Sequence, residues 1–97
     1  MRAIRKDPGE MPYIVEIPNT LAALQDAVGG YIEAVTLFED VSIICNEEGR
    51  LLGLPHNCSF LGAEFAGPIL LVGVSGDEFS DLSDAAVKPL MRALGGE

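Results

Sequence analysis

Residues 31–49 read YIEAVTLFEDVSIICNEEG, and this stretch decides the fold. Tyr31 to Phe38 is rich in aromatic and β-branched residues, which suit a pleated surface, so it reads as a strand. Ile32, Ala34, Thr36 and Phe38 fall on one face; Tyr31, Glu33, Val35 and Leu37 fall on the other. Glu39-Asp40 makes a tight turn. Val41 to Cys45 returns as an unbroken apolar run, the pattern of a strand covered on both faces and central in its sheet. Asn46-Glu47-Glu48-Gly49 is a second turn, with Gly49 free to take a positive φ.

Upstream, residues 2–6 form a short extended segment closed by the turn Asp7-Pro8-Gly9-Glu10. Met11 to Ile17 reads as a strand with Tyr13, Val15 and Ile17 on one face. Pro12 and Pro18 mark an edge position or the ends of the strand. Asn19 or Thr20 caps a helix running to Val28, with Leu21, Leu24, Ala27 and Val28 as its apolar stripe. Gly29-Gly30 stops it.

Downstream, Arg50 to Leu61 keeps no clean period. It reads as an ordered loop around Gly53 and Pro55, with room for a short helix near Asn57–Leu61. Gly67-Pro68 introduces a buried strand, Ile69 to Val74. Ser80 or Ser83 caps a last helix with Val87, Leu90, Met91 and Leu94 inward. Pro89 predicts a kink, or a helix that begins near Lys88.

The expectation is one α+β domain over 1–97: about five mostly antiparallel strands and two helices, in the order β-β-α-β-β-loop-β-α. Two helices cover both faces of such a sheet only if one lies on each side. A bare face would be a self-association surface, so a homo-oligomer is expected.

The 97 residues suit a single core. A hydrophobic fraction of 48% argues against disorder. The balance is 15 acidic against 6 basic residues, a formal charge of −9. Arg2, Arg5 and Lys6 open the chain, Lys88 and Arg92 lie near its end, and between them Arg50 is the only basic residue. Such a field repels phosphate backbones, so direct nucleic-acid binding is not expected. It attracts basic protein surfaces and can imitate DNA, or it serves only to keep a small, apolar-rich domain in solution. The start lacks the apolar run of a signal peptide, and no stretch has the length of a membrane span. A cytoplasmic setting in the host cell, with Cys45 and Cys58 reduced, is the expectation.

Catalytic and metal chemistry find little support. His56, Cys45 and Cys58 are zinc-ligand types, but no fourth ligand has a usual spacing, and Cys45 sits in an apolar strand. Cys58 near His56 lacks a group to orient the base. The acidic pairs Glu39-Asp40, Glu47-Glu48 and Asp77-Glu78 lie at turns. Gly73-Val74-Ser75-Gly76 follows a strand, but acids follow it rather than the Lys-Ser/Thr of a phosphate loop. No cofactor, metal or enzymatic activity is expected.

The segment from Asn46 to Asn57 differs. It gathers Asn46, Arg50, His56 and Asn57 around Gly49, Gly53, Leu54 and Pro55: donors, acceptors and one planar cation on a rigid loop. Arg50 is an ordinary solvated surface arginine, or it pairs with Glu47 or Glu48, or it captures one anionic group of a ligand.

The blocks Gly29-Gly30-Tyr31-Ile32-Glu33, Cys45-Asn46-Glu47-Glu48-Gly49, Gly53-Leu54-Pro55 with Asn57, and Gly67-Pro68-Ile69-Leu70-Leu71-Val72-Gly73 resemble a domain of unknown function carried by phages and conjugative elements. The likeness spans about Val15 to Leu82. It implies accessory genes of mobile elements, near anti-restriction and other counter-defence genes, and brings Tyr31 and Glu33 into the candidate site. Many members have arginine where this chain has Cys58, which leaves Arg50 as the anion-binding candidate. The expected function is a non-enzymatic counter-defence protein, most concretely a homo-oligomeric sponge for a small nucleotide-derived immune signal. The candidate ligand residues are Tyr31, Glu33, Asn46, Arg50, Leu54, Pro55, His56 and Asn57. The alternative is an acidic inhibitor or DNA mimic that blocks a host nuclease or restriction enzyme.

Overall fold

A computed structural model describes residues 1–95, so the last two residues of the expected domain lie outside it. The chain forms β1 (Arg2–Lys6), β2 (Tyr13–Glu16), α1 (Leu21–Val28), β3 (Ile32–Phe38), β4 (Val41–Asn46), β5 (His56–Phe60), β6 (Ala63–Ala66), β7 (Ile69–Ser75), β8 (Glu78–Ser80) and α2 (Asp84–Ala93). The main sheet runs β2-β1-β7-β4-β3, with β8 added to β7, and every pairing is antiparallel. The α+β class is as expected.

Strand periodicity builds two apolar layers. Ile4, Val41, Ile43, Cys45, Ile69 and Leu71 face one side, where α2 and the β5–β6 hairpin cover them. Ala3, Ile44, Leu70 and Val72 face the other, under Leu24 and Val28 of α1. This corrects the expected bare face: one helix lies on each side, and the hairpin completes the α2 layer. On the α1 side the cover stops short of β3, where Ala34 and Thr36 stay exposed.

Three further expectations change. Residues 57–61 are no helix; they belong to β5, which pairs with β6 through a two-residue turn at Leu61-Gly62. Both turn residues take positive φ, 49° and 84°, so the chain reverses at once instead of coiling. Leu21, expected on the buried stripe, is exposed because the helix turns only Leu24 and Val28 fully inward. Finally, α2 starts at Asp84 on a Ser83 cap, not at Lys88. Pro89 is tolerated within it because Pro89 and Ala85, whose carbonyl loses its N–H partner, are both exposed to water. At α1 the Thr20 hydroxyl accepts from Ala23 N at 3.2 Å, and Gly29 closes the helix at φ 80°.

Candidate functional site

The end of β4, the loop after it and β6 enclose an open cleft of about 410 Å³. Its floor is Glu33, Val35 and Cys45 on β3 and β4; Phe65 and Ala66 of β6 form the opposite wall, and Arg50 and Leu51 lie at its side. A second hollow of about 210 Å³ adjoins it and shares Arg50, Glu64, Phe65 and Ala66, adding Leu54 and His56. The two meet at Arg50.

Arg50 is exposed, and among the described residues it has no carboxylate within ion-pair distance and no side-chain hydrogen bond. Of the roles open to it, the pair with Glu47 or Glu48 is not formed; exposure without a partner suits a solvated arginine as well as an anion-binding one. The turn is held by other groups. Asn46 is buried; its Nδ2 donates to Val28 O at 3.2 Å and its Oδ1 accepts from Glu48 N at 2.8 Å. Gly49 does not use a positive φ. It is required by close approach, since a Cβ there would meet Ala66 O at 2.9 Å.

The eight candidate residues therefore divide. Glu33, Asn46 and Arg50 line the larger cleft, and Leu54 and His56 join Arg50 in the smaller hollow. Tyr31 lies with Asn46 around a separate depression near the end of α1. Pro55 accepts a backbone bond from Gly67 N at 2.8 Å. Asn57 is fully committed to structure: its Nδ2 donates to Lys6 O at 2.8 Å and Gly67 O at 2.7 Å, and its Oδ1 accepts from Lys6 Nζ at 3.0 Å. Asn57 Nδ2 thus spends both of its N–H groups on structure, whereas Asn46 Nδ2 spends one on Val28 O.

Glu64, Phe65 and Ala66 are site residues that the sequence reading missed. The visible signal was alternation on either side of Leu61-Gly62: Cys58, Phe60, Ala63 and Phe65 inward, Ser59 and Glu64 outward. A leucine where such a turn favours Asn or Gly hid the hairpin. His56 Nδ1 lies 3.6 Å from Glu64 Oε1 across it.

The thiols are poor nucleophiles. Burial, with the Glu33 carboxylate adding to it, pushes the Cys45 thiol from 9.0 up to about 11. Burial also raises Cys58, against a smaller opposing effect of the Lys6 ammonium. Because the folded pKa of Cys45 lies above the unfolded one, its stabilising contribution is complete below about pH 9 and is lost as pH rises to about 11. The unfolding free energy from urea titrations should fall across that window by an amount on the order of 2 kcal/mol more in the native protein than in Cys45→Val. Equal losses in the two proteins would refute this. Among the described residues no cluster of three or more His, Cys, Asp or Glu could hold a metal, and no helix is long and apolar enough to cross a membrane.

The model of the domain of unknown function DUF3846 matches residues 1–95, and the chain belongs to that family. No curated protein and no solved structure matches it.

Proposed function

We propose that this protein is a non-enzymatic binder that captures a small ligand with one anionic group at Arg50, most concretely a nucleotide-derived immune signal sequestered in the host cytoplasm for a phage or mobile element. The observation that carries the reading is the unpaired Arg50 guanidinium, set where two hollows meet although Glu33, Glu47 and Glu64 line the same cleft. A surface arginine among acids ordinarily relaxes into a salt bridge. An unpaired, exposed guanidinium presents a fork of donors to phosphate. The carboxylates narrow the ligand. They accept hydrogen bonds from ribose hydroxyls and base amines, and they oppose a second or third phosphate. A monophosphate-like, donor-rich ligand fits; a triphosphate does not. Homo-oligomerisation is retained as part of this proposal.

The test incubates the protein with a panel of cyclic and linear nucleotides, removes free ligand, then heats the protein and analyses what is released. Sedimentation of the loaded protein reports its stoichiometry. Arg50→Ala should weaken capture by about tenfold or more while leaving the melting temperature of the free protein unchanged. No released ligand and unshifted melting across the panel would sink the idea.

One observation favours the acidic-inhibitor reading. The Glu39-Asp40 turn lies beside the β7–β8 turn, which carries Asp77 and leads into Glu78 of β8, with Val74 N bonded to Asp40 O at 2.9 Å. Glu47 and Glu48 stand at the opposite end of β4. Two acidic ends joined by one strand suit a nuclease that reads charge spacing. That reading requires salt-sensitive inhibition, lost when Glu39, Asp40, Glu47 and Glu48 are neutralised together.

A further inference from the structure

We propose that the open edge of β3, together with the cleft beside it, docks an extended basic segment of a partner protein, which adds to the sheet as a strand and directs Lys or Arg side chains toward Glu33, Glu47 and Glu64. The proposal goes beyond small-ligand capture: it adds the β3 edge and draws on the carboxylates of the same cleft rather than on Arg50.

The two edges of the main sheet are unlike. β2 is four residues long and bracketed by Pro12 and Pro18, which blunts pairing. β3 has seven residues, no proline and no lysine, and among the described residues no strand pairs with its outer side. Its one irregularity falls between Thr36 and Phe38, so Ile32 to Thr36 remains a regular template.

Exposed apolar residues gather around this edge. Tyr31 and Phe38, 68% and 49% exposed, mark its ends. Leu51, 86% exposed, lines the cleft, and Leu61, 69% exposed, is next to its lining residue Gly62. Leu61 is the more telling. Phe60 pairs with Ala63, so Leu61 and Gly62 are the whole turn, and both need positive φ. Asn or Gly there would be less strained and more soluble. Among the described residues Leu61 is the only non-glycine with positive φ. A strained, largely solvent-facing leucine is costly for the hairpin, which points to a contact outside the fold.

Charge selects the occupant. The cleft lining carries Glu33, Glu47 and Glu64 against Arg50 alone. A second copy is disfavoured: antiparallel self-pairing of β3 would bring the Glu39-Asp40 turn of one copy toward the other copy's Glu47-Glu48 turn, which is tied to the start of β3 by Glu47 N to Tyr31 O at 2.8 Å. A basic extended segment meets the same groups with attraction. Strand addition supplies main-chain hydrogen bonds, and alternate side chains reach the cleft.

The probe is an alternating Lys–Val octapeptide, with a second version N-methylated at alternate residues. Methylation keeps the charge and removes the donors needed to join a sheet. The unmodified peptide should bind at least about tenfold tighter than the methylated one. Glu33→Gln with Glu64→Gln should weaken it about tenfold, and the charge-matched control Glu10→Gln with Asp26→Asn should not. Leu61→Asn should weaken the peptide yet raise Tm by about 4 °C, because it relieves the turn. Arg50→Ala removes the one cation facing the basic side chains, so it should tighten peptide binding, the opposite of its effect on nucleotide capture. Equal binding of both peptides, equal loss in the control, absence of binding, or a dimer that Leu61→Asn dissolves would each overturn the proposal.

Discussion

Asn57→Ala is expected to cost about 3–5 kcal/mol, a large share of the roughly 5–10 kcal/mol that hold a domain of this size. The side chain makes three hydrogen bonds at a buried site, and each ties the start of the β5–β6 hairpin to its surroundings: two to Lys6 of β1 and one to Gly67 ahead of β7. Lys6 is itself only 7% exposed. Truncation therefore strands two carbonyl oxygens and an ammonium group out of water. Asn57→Asp separates the terms. It offers Lys6 a carboxylate but turns an acceptor toward the two carbonyls, so it should also destabilise. Lys6→Met removes the charge and strands only the Asn57 oxygen, so it should cost less than either. Urea unfolding of the three variants checks the order. If Asn57→Ala proved neutral, Asn57 would not be the hairpin's tether and its place among ligand candidates would reopen.

Gly73→Ala is the second large effect, expected at about 3 kcal/mol or more, with Gly73→Val failing to fold. A Cβ on Gly73 would collide with the backbone carbonyl of Asp81, at a separation real Cβ atoms do not show, and would also press the Ser80 hydroxyl at 3.0 Å. The neighbour cannot retreat cheaply. The chain after β8 crosses β7 here, is pinned by Leu82 N to Arg2 O at 3.0 Å, and delivers the fully buried Leu82 to the core. Gly73 pairs with both Val41 and Ser80, so moving β7 disturbs two ladders. Gly76→Ala is the comparison: φ is +63° but the space around it is open, so it should cost only about 1 kcal/mol. Comparable urea midpoints for the two variants would show that the crossing is soft.

The parts legible in the sequence were those set by local chemistry. The β3–β4 hairpin, the Thr20 cap and Gly29 stop of α1, and the edge position of β2 each follow from neighbouring residues: alternation, a hydroxyl before an apolar stripe, a glycine at a left-handed position, prolines at strand ends. The β5–β6 hairpin was hidden because its turn uses leucine where the local rule asks for Asn or Gly. Asn46, Arg50 and His56 were visible as chemistry-bearing side chains, but their employment was not. Asn46 and Asn57 are the same residue type in similar loops, and both turn out to serve the backbone.

By itself, the sequence determined a single acidic α+β domain with one isolated cation at Arg50, because residue type, spacing and charge are properties of the chain before it folds. Tertiary structure alone decided that each sheet face carries a helix, that Glu64 and Phe65 come to Arg50 from a distant strand, that Arg50 is left without the neighbouring carboxylates as partners, and that β3 is the open edge. Those are relations between segments far apart in sequence. They depend on how the core apportions its apolar layers, and no local pattern carries that information.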